Sequence, residues 1–158
     1  MKKLLLLRHA KTEPINQSGS DLNRALTARG ASDATRIGEY IRAQGIKIDL
    51  VLTSSARRAV QTSELVADAA GLNVPVNSDR RIYEAGIREL SQLLKEVDSQ
   101  HDSVLVVGHN PAIEELVKWL TDAVQAMSAG TLAVLAFKGN EWSRLDSGTC
   151  TLESIITP

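Results

Sequence analysis

The sequence predicts an α/β fold on a mainly parallel central sheet. Short apolar runs alternate with helical stripes, glycines punctuate the helix ends, and the closing segment is rich in β-formers. Leu4–Leu7 and Val104–Val107 are continuous apolar runs and Ile48–Leu52 is apolar but for Asp49, as expected of strands buried on both faces of a parallel sheet. Each precedes a helix pattern, the order that parallel crossover connections require.

After the first strand comes a polar stretch, Glu13 to Asn23, and then Thr27, placed to cap a helix. Gly30, Ala34, Ile37, Gly38 and Ile41 share one face of that helix, which should end near Gly45. The second helix opens after Ser54-Ser55 and carries Ala56, Ala59, Val60, Ser63, Val66, Ala67 and Ala70 at helical spacing. Gly71 is its stop. Ile87, Leu90, Leu94 and Val97 form a third stripe. A fourth starts at Asn110-Pro111, read as an N-cap with proline at the first helical position, and runs through Ile113, Leu116, Val117 and Leu120. Leu132–Phe137, Trp142–Leu145 and Thr149–Ile156 read as closing strands, the first two joined by a turn at Gly139-Asn140. No repeat, low-complexity tract or linker divides the chain, so residues 1–158 are expected to form a single domain.

Composition narrows the function. Hydrophobic residues at 43% and charged residues at 23% are those of a globular chain, which argues against disorder. A net charge of −1 argues against a broad nucleic-acid or acidic-membrane surface, so any anion binding is local. Met1-Lys2-Lys3 and the leucines after it resemble the start of a secretory signal, but Arg8, His9 and Lys11 interrupt the run too early for a signal or a membrane span. The single cysteine, Cys150, is expected to be a buried, inert thiol, in keeping with a reducing compartment, the cytoplasm. His9, His101 and His109 lie far apart and have no zinc-type spacing, so neither a metal nor another cofactor is expected.

Three groups then carry the chemistry. Arg8-His9 follows the first strand, Arg57-Arg58 opens the helix after the second, and His109 follows Val104–Val107. In open α/β sheets ligands bind outside the carboxyl ends of parallel strands, so if these strands are neighbours the three groups share one edge. Arginines in the first turn of a helix oppose the macrodipole unless an anion or an acidic neighbour such as Glu64 lies close by. Arg57 shares the polar face of Gln61 and Glu64, whereas Arg58 borders the apolar face and can turn inward. Beside His109, the start of the next helix offers unpaired N–H groups to an anion.

Arg8-His9-Ala10-Lys11-Thr12, Leu26-Thr27-Ala28-Arg29-Gly30, the segment Thr53 to Thr62 and Gly108-His109-Asn110-Pro111 together resemble the histidine phosphatase superfamily, most of all its short SixA-type phosphohistidine phosphatase branch. The likeness runs from residue 4 to about 120 and is only general after Thr121. It implies a phosphoglycerate mutase-like three-layer α/β/α sandwich. It implies further that His9 is a nucleophile that becomes transiently phosphorylated, and that Arg8, Arg58 and His109 surround the phosphoryl oxygens. Ala10 departs from the glycine that much of the superfamily has after Arg-His, and fits the SixA-like branch. Glu84, in Arg81-Ile82-Tyr83-Glu84, resembles the region where larger members carry a proton donor, a role the SixA-like branch does not uniformly use.

The expected activity is therefore metal-independent hydrolysis of a phosphohistidine or phosphomonoester through a phosphohistidine on His9. The expected partner is a phosphorylated substrate, such as a phosphohistidine-bearing signalling protein, and an open site would suit a monomer. Two other functions compete. A phosphoglycerate-mutase-like phosphotransferase would need a lid, for which only Glu13–Asn23 and Ser78–Gly86 offer residues. A non-catalytic phospholigand-binding module would not require both histidines.

Overall fold

Leu4, Leu5, Leu6 and Leu7 are wholly inaccessible to solvent, which is possible only for a strand covered on both faces. A computed structural model describing residues 1–15 and 19–158 shows why. In chain order the elements are β1 (Lys2–Arg8), α1 (Ala28–Ala43), β2 (Leu50–Ser54), α2 (Arg57–Ala70), β3 (Val76–Asp79), α3 (Arg80–Tyr83), α4 (Ile87–Lys95), β4 (Ser103–Gly108), α5 (Ala112–Thr121), β5 (Leu132–Phe137), a 3₁₀ turn at Trp142–Arg144 and β6 (Cys150–Ile156). The strands form one sheet in the order β3-β2-β4-β1-β5-β6. β1, β2, β3 and β4 are mutually parallel where they pair, and β5 and β6 run antiparallel at the closing edge.

Side chains alternate across β1, and each face finds its own core. Leu4 and Leu6 pack with Val104 and Val106 under Leu90, Leu94, Ile113 and Leu116 of α4 and α5. Leu5 and Leu7 pack with Leu105 and Val107 under Ile37, Ile41, Ala59 and Val66 of α1 and α2. This is the α/β/α sandwich expected from the sequence.

Two helix signals act as read. Thr27 caps α1, its hydroxyl accepting from Gly30 N at 2.9 Å. Gly71 closes α2 in the left-handed region at φ 70°. Gly38 lies where α1 crosses α2, with the Val66 carbonyl and the Ala69 side chain where a Cβ would sit. β2 begins two residues later than expected, because Asp49 turns its carboxylate to the N–H groups of Asp102 and Ser103 instead of extending the strand.

Three expectations are corrected. Trp142–Leu145 is not a strand, and β5 pairs instead with β6. In a strand Trp142 and Arg144 would share a face. The 3₁₀ turn places Trp142 with Leu145, both buried, and leaves Arg144 in water. Trp142 stacks on Phe137 and donates from Nε1 to the His101 carbonyl at 2.7 Å. Asn110 does not cap α5, which begins at Ala112. Its amide donates to Glu114 Oε2 at 3.0 Å and the Met127 carbonyl at 2.9 Å, and Ile113 N bonds to the His109 carbonyl. Ser78–Gly86 is no open loop, since β3 runs to Asp79 and α3 follows directly. Of the other lid segment, Glu13–Asn23, residues 16–18 lie outside the described residues. Among the described residues, no helix is long and apolar enough to cross a membrane. Cys150 is buried, and burial pushes its thiol up to about 11.

Candidate active site

β2, β4 and β1 are adjacent and parallel, so their carboxyl ends share one edge. Arg8 stands opposite Gly108, and Thr53 opposite Val107. The backbone that carries His9 is fully tied down. His9 N donates to the Gly108 carbonyl at 3.0 Å, Gly130 N reaches the Arg8 and His9 carbonyls, and Ala10 N donates to Thr62 Oγ1 of α2 at 3.0 Å. A strand end held from both sides fixes the direction of its side chains.

His9 is buried, with its Nδ1 2.8 Å from the Ala10 carbonyl oxygen. A carbonyl only accepts, so Nδ1 carries the ring proton and Nε2 keeps its lone pair. Burial lowers the His9 pKa to about 4, the Ala10 bond opposing and Arg58, Arg8 and Arg24 adding to the fall. The ring is therefore neutral near pH 7, as a nucleophile must be.

The His109 ring lies 5.1 Å from that of His9 and meets the Tyr83 ring edge-on. Arg58 Nη2, which can only donate, lies 3.4 Å from His109 Nδ1. Nε2 then carries the proton and donates to Ser54 Oγ at 2.7 Å, while Ser54 Oγ also accepts from Ala56 N. Burial, followed by His9 and Arg58, lowers the His109 pKa to about 3, opposed by Asp21. Both histidines share the sheet edge as neutral rings.

Arg58 is buried at the start of α2, a turn with no acidic residue of its own. The compensating acid is Asp21 and not Glu64. Arg58 donates from Nη1 to the Asp21 carbonyl at 2.7 Å and from Nη2 to Oδ2 at 3.1 Å, and the Tyr83 hydroxyl donates to the same Oδ2 at 2.7 Å. These contacts hold the Asp21 carboxyl below its ordinary pKa, the Tyr83 bond foremost. Arg57 is exposed, and among the described residues its side chain reaches the Asn23 carbonyl, at 3.5 Å. Arg8 Nη1 donates to the Met127 carbonyl at 3.1 Å.

Arg8, His9, Arg24, Arg58, His109 and Asn110 line one cavity of ≈ 380 Å³, with exposed Lys11 at its rim. Among the described residues, the buried side-chain polar atoms without a hydrogen-bond partner are Nε of Arg8, Arg24 and Arg58 and Oδ1 of Asn110. All four belong to residues of this cavity. Three guanidiniums gathered at one cavity, with Asp21 as the carboxylate shared by two of them, mark a place suited to an anion. Glu84 is not among the groups around His9. It is exposed and lines a separate cavity with Arg81, Arg88 and Glu89. Arg24, Asp21, Ser54 and Tyr83 joined the site without being anticipated. The one available signal was the placement of Asp21 and Arg24 just ahead of Leu26-Thr27.

The sequence model of the histidine phosphatase superfamily (branch 1) matches residues 4–100. The chain belongs to this superfamily. The matched segment contains Arg8, His9 and Arg58, and His109 reaches the same cavity from beyond it. The 2,3-bisphosphoglycerate-dependent phosphoglycerate mutase of Caulobacter sp. (strain K31) is 38% identical over 103 residues, covering 63% of this chain and 44% of the mutase. The chain thus spans less than half the length of that relative. A protein of Mycobacterium tuberculosis (strain ATCC 25618 / H37Rv) is 29% identical over 163 residues, covering 96% of this chain and 99% of its own. Among solved structures, a candidate phosphohistidine phosphatase SixA from Nakamurella multipartitia superposes with a TM-score of 0.88 at 28% identity, over 99% of this chain and 96% of that one. The protein histidine phosphatase SixA complexed with tungstate shares the fold, with a TM-score of 0.83 at 24% identity over 98% and 96% of the two chains. Superfamily and fold are those that the motifs imply.

Proposed function

We propose that the chain is a metal-independent phosphatase that hydrolyses a phosphohistidine or phosphomonoester through a phosphohistidine on His9. One observation carries this: the His9 Nδ1 proton is committed to the Ala10 carbonyl, leaving the Nε2 lone pair for a cavity lined by the guanidiniums of Arg8, Arg24 and Arg58. The likeness to the SixA structure supports a phosphohistidine as substrate.

In the first step the Nε2 lone pair forms a bond to phosphorus, and the bond from phosphorus to the leaving nitrogen or oxygen breaks with its electron pair. In the second a water oxygen forms a bond to phosphorus, the N–P pair returns to Nε2, inorganic phosphate departs and the water proton passes to solvent. Phosphoryl transfer spreads negative charge over the three equatorial oxygens, so fixed cationic donors contribute most. Arg8 and Arg58 supply them, and the charge of the bound group draws a proton onto His109, which then donates too. An imidazole leaving group needs less help from an acid than an alkoxide does, consistent with a site in which Glu84 stands apart.

His9→Ala is expected to abolish turnover and Arg57→Ala to leave most of it. A labelled phosphodonor should leave acid-labile, base-stable phosphate on His9. Full turnover by His9→Ala, or label only on serine or cysteine, would overturn the proposal. Chelation of divalent ions should leave the rate unchanged, and a large loss would return a metal to the reaction. Since the curated relative named above is a mutase, phosphate release should also be measured against transfer to 3-phosphoglycerate. Predominant transfer would replace the hydrolase with a phosphotransferase.

A further inference from the structure

We infer that Arg24 is a direct phosphoryl ligand, a third guanidinium in the cradle beside Arg8 and Arg58; this rests on the phosphatase proposed above. Arg24 comes from the loop ahead of α1 and lines the same cavity as His9. Its side chain retains 25% of its accessibility, yet its Nε atom is buried. Nε lies 3.2 Å from Asp21 Oδ1, an ion-pair distance, but is not aligned to donate a hydrogen bond to it. Arg24 is therefore held at the cavity by charge while one of its donors stays unmatched, the same state as Nε of Arg8 and Arg58.

The charge balance points the same way. Asp21 is the carboxylate shared by Arg58 and Arg24, and both histidines are neutral near pH 7. Three guanidinium charges less one carboxylate leave a double positive charge at the cavity wall, with exposed Lys11 at the rim set aside. Before His109 takes up a proton, that matches a phosphoryl dianion arriving at the site, whereas without Arg24 the wall would meet it with a single positive charge. An arginine also suits the position better than a lysine, because its fork can keep Nε beside Asp21 and turn its Nη groups toward a phosphoryl oxygen.

The alternative is that Arg24 only positions Asp21, and through it Arg58. Calorimetric binding of inorganic phosphate at about pH 7.5 separates the two, because it needs no turnover. Arg24→Gln should weaken phosphate binding by about tenfold or more, the scale of a lost charge-assisted hydrogen bond, and Arg24→Lys should lose less. The decisive comparison places Arg24→Gln in an Asp21→Asn background, where a direct ligand still weakens binding and a residue acting only through Asp21 has no further effect. Unchanged affinity in Arg24→Gln, or an effect that vanishes in Asp21→Asn, overturns the role of Arg24. If Arg24→Gln fails to fold, Arg24→Lys decides, and affinity equal to the wild type in both backgrounds overturns the role. No phosphate binding by the wild-type protein would instead overturn the phosphatase itself.

Discussion

Replacing His9 with glutamine should flatten the acid limb of the stability curve, because an imidazole buried in its neutral form must be uncovered before it can take a proton. The unperturbed imidazole pKa of 6.5 falls to about 4 in the folded chain, with desolvation as the largest cause. A histidine pKa depressed by folding gives stability that is present above the unfolded value and is lost as pH falls toward the folded one. For this pair of values the His9 contribution is nearly intact at about pH 7, has fallen by about 2 kcal/mol at about pH 5, and by about 3 kcal/mol at about pH 4. Urea unfolding of wild type and His9→Gln across that window measures the difference in slope, whatever offset the substitution itself introduces. His109, lowered to about 3, stays in both proteins, and loss of the His9 charge relieves part of its depression in the variant. With the rings 5.1 Å apart, the wild-type pair titrates as a unit, its first proton entering well below pH 6.5. Parallel pH dependences in the two proteins, or an NMR titration of His9 with a midpoint near 6.5, would refute a buried neutral nucleophile.

Other substitutions test the supports of the site. Ser54→Ala removes the acceptor of the His109 Nε2 proton and should lower kcat by about tenfold, or about 1.4 kcal/mol of barrier, in steady-state assays. Glu84→Gln should leave phosphoramidate turnover within about twofold, since Glu84 is exposed and outside the His9 cavity, and a loss of about 100-fold would bring it in as proton donor. Trp142→Ala removes a fully buried ring stacked on Phe137 and should cost about 3–5 kcal/mol in denaturant unfolding. A strand at Trp142–Leu145, with the ring half in water, would make that loss much smaller.

How much of this was legible in the sequence follows from where each signal is stored. β1 and β4 could be read because both faces of the sheet are covered, which leaves unbroken apolar runs at Leu4–Leu7 and Val104–Val107. β3 could not. It is an edge strand paired only with β2, and its residues Val76, Asn77, Ser78 and Asp79 include one apolar side chain. Trp142 misled because β-propensity describes the residue, while the outcome was decided by burial shared with Leu145 at a spacing only a helical turn can satisfy.

The site divides along the same line. His9 and His109 directly follow sheet strands and Arg58 lies just beyond a third, so local spacing was enough to bring them to one edge and one cavity. Arg58 also showed itself as a charge in the wrong place, at the positive end of a helix. What the sequence withheld was the compensation. Asp21 lies 37 residues before Arg58 and 62 before Tyr83, and no local pattern links a loop carboxylate to a guanidinium and a phenol that far along the chain. A misplaced charge can be read locally because the helix that makes it costly is local. Its counter-charge is a property of the fold, and here the same carboxylate brings Arg24 to the cavity.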